Sequence, residues 1–128
     1  MIRTHRFLLA DDDVEVRLGV AELLSGLGLE FLHAQTGLEA IELGRTERID
    51  GALFDMHMPG CTGVEAISIL RQERIELPFL VYSGRWTLGL EKSVLAVGAV
   101  ACLKKPVEPY QLRRAVREAL GLDPANNN

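Results

Sequence analysis

The chain has 128 residues, 48% of them apolar and 25% charged, with a formal charge of -4. Those values describe one globular domain that closes a core of its own, and they exclude a disordered chain. The negative balance, with no basic run, excludes general nucleic-acid binding, which needs a surplus of Lys and Arg on one face. Cys61 and Cys102 form no CxxC pair and have no histidine pair nearby, so neither a zinc site nor a disulfide framework is indicated. No apolar stretch approaches ~20 residues, and Met1 to Arg6 lacks the apolar core of a signal peptide, so a cytoplasmic protein without membrane contact is expected.

Phe7-Leu8-Leu9-Ala10 is an apolar run that stops at three aspartates, as a buried strand does on reaching a polar sheet edge. Asp13 is placed to cap a helix carrying Val16, Val20, Leu23, Leu24 and Leu27 at helical spacing, with Gly28 as its expected stop. Leu29 to Ala34 reads as a second strand. Leu38 to Glu47 reads as a helix with Leu38, Ile41 and Leu43 turned inward. Gly51 to Phe54 is a third strand, ending on Asp55. After Pro59-Gly60 and Gly63, positions Val64, Ile67, Ile69 and Leu70 mark a third helix ending near Arg74.

Pro78 opens a fourth strand, Phe79 to Tyr82, which ends on Ser83-Gly84. A weaker helix follows from about Thr87 to Val97, diluted by Gly89 and β-branched valines. Val100 to Leu103 is the fifth strand, ending at Lys104-Lys105-Pro106, and Leu112, Val116, Ala119 and Leu120 mark a last amphipathic helix. The expected domain runs from residue 6 to 121. Residues 122–128 are expected to form a disordered tail, too short for an effector domain.

Five strands alternating with five helices imply an α/β fold with a parallel sheet covered on both faces, and the ligand site then lies beyond the carboxyl ends of the strands. Asp11 and Asp12 follow strand one, Asp55 follows strand three, Ser83 strand four and Lys105 strand five. Three crowded carboxylates repel unless a cation compensates them, and an all-oxygen set suits Mg²⁺. A lysine and a hydroxyl facing the same point supply what the non-bridging oxygens of a phosphoryl group need, and a carboxylate is a competent nucleophile.

In this order the residues resemble the receiver domains of two-component response regulators, over about residues 6 to 120. Phe7 to Asp13 is similar to the family's first strand and acidic pair. Asp55-Met56-His57-Met58-Pro59-Gly60 with Gly63 resembles its phosphoacceptor loop, Ser83-Gly84 its hydroxyl and small-residue pair, and Gly98-Ala99 with Leu103-Lys104-Lys105-Pro106 its fifth strand. The resemblance implies a flavodoxin-like (βα)5 sandwich with a five-stranded parallel sheet in the order 2-1-3-4-5 and a cis peptide bond before Pro106. It implies that Asp55 is phosphorylated. Asp12 and Asp55 would then bind Mg²⁺ directly, Asp11 through water and His57 through its backbone carbonyl, while Lys105 and Ser83 grip the phosphoryl oxygens.

The donor so implied is a sensor histidine kinase or phosphotransfer protein, and a homodimer formed on phosphorylation is left open. The domain would catalyse only its own phosphorylation and dephosphorylation, and the added charge would reshape Ser83 to Gly98. Cys102 departs from the pattern, standing where the family carries Tyr or Phe; packing in the strand and a redox-sensing thiol are its two readings. Trp86 is expected at the rim of the site or against the fourth helix, and Lys104 in solvent. Val14, Leu18 and Glu22 form an outward stripe expected to dock the kinase. His57 and Arg85 border the path of an attacking water; Arg85 either shields the phosphoryl group or lies in solvent or on a surface acid. Two rivals remain: an aspartyl-phosphate phosphatase, which lacks here the second acid two residues after the nucleophile, and a flavin carrier, whose phosphate the acidic first turn would repel.

Overall fold

In a computed structural model, which describes residues 4–122, the chain folds as five strands alternating with five helices. They are β1 (His5–Ala10), α1 (Val14–Leu23), β2 (Leu29–Ala34), α2 (Gly37–Thr46), β3 (Gly51–Asp55), α3 (Gly63–Gln72), β4 (Phe79–Ser83), α4 (Leu88–Ala96), β5 (Ala101–Lys104) and α5 (Pro109–Leu120). All strand pairs are parallel, in the order β2-β1-β3-β4-β5 expected from the sequence.

Strand periodicity divides the core in two. Leu8, Ala10, Ala52, Phe54, Phe79 and Val81 face α2, α3 and α4, whereas Phe7, Leu9, Leu53, Leu80 and Tyr82 face α1 and α5. Burial on both faces explains why β1, β3 and β4 read as continuous apolar runs. The helices start where side-chain oxygens take up their free N–H groups. Asp13 caps α1, Thr36 caps α2, Thr87 caps α4, and Thr62 with Glu65 forms a capping box on α3. At the other end of α1, the Arg113 guanidinium of α5 donates to the carbonyls of Leu23 and Ser25, tying the two helices together.

Three local expectations are corrected. α1 stops at Leu23 with Leu24 as its cap, not at Gly28; Gly26 already turns the chain left-handed at φ 86°, and Leu27 reaches the core from the loop. Leu38 does not point inward but is 67% exposed, and Gly37, Ala40, Ile41 and Gly44 form the buried stripe of α2. That helix lies so close to its neighbours that a side chain at Gly37 would strike the Cys61 backbone carbonyl at 2.9 Å. Val100 precedes β5 and is exposed, although its N–H still donates to the Phe79 carbonyl. Leu122, the first residue of the tail expected at 122–128, packs on the α1/α5 core; the rest of that tail, 123–128, lies outside the described residues.

Candidate phosphoryl and metal site

Strand register assembles the site. Ala10 pairs with Phe54, so the next residues, Asp11 and Asp55, leave the sheet side by side; Asp55 pairs with Tyr82, and Ser83 with Lys104. Backbone bonds beyond the ladders hold the edge: the Asp11 N–H donates to Ala34, the Met56 N–H to Tyr82 and the Lys105 N–H to Ser83. The loop after Asp55 doubles back until Gly63 sits against it, and a Cβ there would lie 2.8 Å from the Asp55 carbonyl oxygen. Glycine is required at that position for space, not for an unusual φ.

Carboxylate oxygens of Asp11, Asp12 and Asp55 lie within 4.8 Å of one another, with Asp11 and Asp55 buried and Asp12 exposed. The Lys105 ammonium sits 2.9 Å from Asp11 Oδ2 and 3.2 Å from Asp55 Oδ1. Burial and then the neighbouring Asp11 charge push the Asp55 carboxyl above the usual range, against the pull of Lys105 and of the His57 backbone N–H that donates to it. Burial works to lower Lys105, but the two carboxylates outweigh it and the ammonium is held above its ordinary value. Two negative groups therefore share one lysine, and the pocket has electrostatic room for a further cation.

Ser83 is fully buried at the end of β4, and its Oγ accepts from the Arg85 N–H at 3.1 Å. His57 and Arg85 are exposed, and no ion pair of Arg85 is found among the described residues. The Lys105–Pro106 peptide is cis, as the resemblance implied. Lys104 is exposed but not merely solvated, since its ammonium lies 4.3 Å above the Trp86 ring. Cys102 packs against the α2–α4 side of the core, and burial raises its thiol, which favours the packing reading over a reactive one.

Two residues escaped the sequence reading. Tyr82 is 2% exposed, and its hydroxyl donates to Asp11 Oδ2 at 2.5 Å. Burial and that bond to Asp11 raise the phenol far above its ordinary value, so it remains a donor. A phenol at the polar end of an aliphatic strand must find a partner, and that was the available signal. Arg17 is buried on the inward face of α1, three residues before Val20. Its guanidinium donates to the Asp11 carbonyl at 2.6 Å and to His33 Nδ1 at 3.0 Å.

A family model described as the response regulator receiver domain matches residues 7–117. The chain is 36% identical over 115 residues to the transcriptional activator protein ExaE of Pseudomonas putida, covering 88% of this chain and 54% of that protein. It is 26% identical over 118 residues to sporulation initiation phosphotransferase F of Bacillus subtilis, covering 92% and 95%. The chemotaxis response regulator CheY4 of Vibrio cholerae has the same fold at a TM-score of 0.84 and 28% identity, covering 92% of this chain and 100% of that one. The chain thus spans about half the length of ExaE. With an acidic pocket at the strand ends of this sheet and a family model matching most of its length, the chain belongs to the receiver domains of two-component response regulators.

Proposed function

We propose that Asp55 accepts a phosphoryl group from a phosphohistidine on a sensor histidine kinase or phosphotransfer protein, with Mg²⁺ as cofactor, and that the domain later hydrolyses it. The observation that carries this reading is the buried Asp55 carboxylate, crowded by Asp11 and Asp12 and within 3.2 Å of Lys105. A cluster of hard oxygen donors with a surplus of negative charge fits Mg²⁺. Asp12, Asp55 and the His57 carbonyl would hold the ion directly and Asp11 through water, and when bound it would neutralise charge on the transferring group. Lys105 and the Ser83 hydroxyl bind the phosphoryl oxygens.

The residue 6–121 unit is the receiver, in a cytoplasmic setting, and its self-directed phosphorylation and dephosphorylation is the only catalysis in this reading. Donor docking falls on α1, where Val14 and Leu18 are exposed beside a groove of about 720 Å³ lined by Val16, Val20, Leu23, Tyr82, Lys105 and Val107. A phosphorylation-dependent homodimer would use the edge around β5, where Leu95, Val100 and Tyr110 are exposed. Incubation with Mg²⁺ and acetyl phosphate should give an acid-stable, base-labile adduct, and Asp55→Asn should abolish it because an amide is no nucleophile. Undiminished labelling of that variant removes Asp55 from the role. Leu18→Lys should impair transfer from a cognate kinase while leaving acetyl phosphate labelling intact; parallel loss of both would signal a folding defect instead.

A further inference from the structure

We propose that Tyr82 is a positioning residue for phosphoryl transfer, its hydroxyl holding Asp11 at the metal-binding edge while its ring carries the Lys105 ammonium. The inference rests on the receiver reading above and adds to it a residue that the acidic cluster does not contain.

Asp11 is nearly fully buried, yet each of its carboxylate oxygens has a donor. Oδ1 accepts from the Asp13 N–H at 2.8 Å, and Oδ2 accepts from the Tyr82 hydroxyl at 2.5 Å and from Lys105 Nζ at 2.9 Å. With its own carbonyl clamped by Arg17, the side chain is fixed in orientation. Lys105 is held more loosely. It divides one ammonium between Asp11 and Asp55 and lies 4.4 Å from the centroid of the Tyr82 ring. A phosphoryl group arriving on Asp55 brings new oxygens for which that ammonium must leave Asp11. Without Tyr82, the move would leave Oδ2 of this nearly fully buried carboxylate with no protein donor, a loss that costs a buried carboxylate heavily. The phenol stays behind, so Lys105 is free to transfer while Asp11 keeps its place. The ring face gives the ammonium a favourable surface along the way.

The test uses the full chain as the parent, Tyr82→Phe, Tyr82→Leu and, as a control for loosening of the same core layer, Leu80→Val. Mg²⁺ affinity is read by calorimetry, and labelling by acetyl phosphate is followed at saturating Mg²⁺. Tyr82→Phe keeps the ring and loses the hydroxyl, so Mg²⁺ affinity should fall about tenfold. Tyr82→Leu should show the same fall and, having lost the ring, a further loss of about threefold in labelling rate. Leu80→Val should bind Mg²⁺ like the parent. Indistinguishable Mg²⁺ affinities for the parent and Tyr82→Phe overturn the proposal, as does an equal fall in Leu80→Val. A parent that binds no Mg²⁺ removes the proposed Mg²⁺-dependent phosphoryl transfer itself, and this inference with it.

Discussion

The centre of the sheet and its β5 edge are built differently. Every residue of β3 is buried, and α3 above it buries Gly63, Ala66, Ile67 and Leu70. β5 has no fully buried residue, and α4 buries only Val94. The groups that need fixed geometry, Asp11 and Asp55, stand on the buried central strands. Lys105, which in the proposed function binds a phosphoryl oxygen, follows lightly anchored β5, and buried Ser83 ends β4 beside it. The difference teaches that one small domain can pair a tightly packed centre with a looser edge, because local opening is cheapest where few apolar contacts resist it.

The largest expected effect tests that asymmetry directly. Leu70→Ala, a full deletion in the central layer, should cost about 2–5 kcal/mol in urea denaturation. Val94→Ala should cost about 1 kcal/mol, since it is a smaller deletion on a helix with little else to hold it. Equal losses would erase the distinction between centre and edge.

A smaller effect sharpens the electrostatic half of the comparison. Asp55 is held above the usual carboxyl range by burial and by Asp11, so the folded state keeps this proton to a higher pH than the unfolded chain does. Stability from this group is therefore lost as pH rises from its ordinary value of 3.8 through the raised folded value. Without Mg²⁺ at pH 7, Asp55→Asn should raise stability, read as a higher thermal midpoint. The advantage should shrink as pH falls through the raised value. A constant difference across that range would place its cause elsewhere.

The smallest effect concerns the looser edge. Arg85 lies beyond Ser83, exposed and in no ion pair among the described residues, so it is available to cover the phosphoryl group. Arg85→Ala should speed loss of the Asp55 adduct at saturating Mg²⁺ by a few-fold, about 1 kcal/mol of barrier, and Arg85→Glu more so. Unchanged decay in both variants would show that Arg85 points away from the site.

Element types and the acidic strand ends were legible in the sequence because both are local. Apolar runs that stop at Asp11, Asp55 and Ser83 mark buried strands reaching a polar edge, and Asp13 and Thr87 announce their helices through short side chains that bond the backbone nearby. Leu38 shows where that reasoning stops. An apolar residue one position into a helix has no local signal for the side on which the sheet will lie, and only packing against α3 and the loop before it turned Gly44 and Gly37 inward and Leu38 out. The same holds for the partners of Asp11. Tyr82 is 71 positions away and Lys105 is 94 away, so their meeting is a property of strand order and register. Composition and spacing determined which charged and hydroxyl groups stand at the strand ends; the tertiary structure alone decided that a phenol and a buried arginine would hold one of them, because a polar group shut away from water takes whichever partner the fold brings within reach.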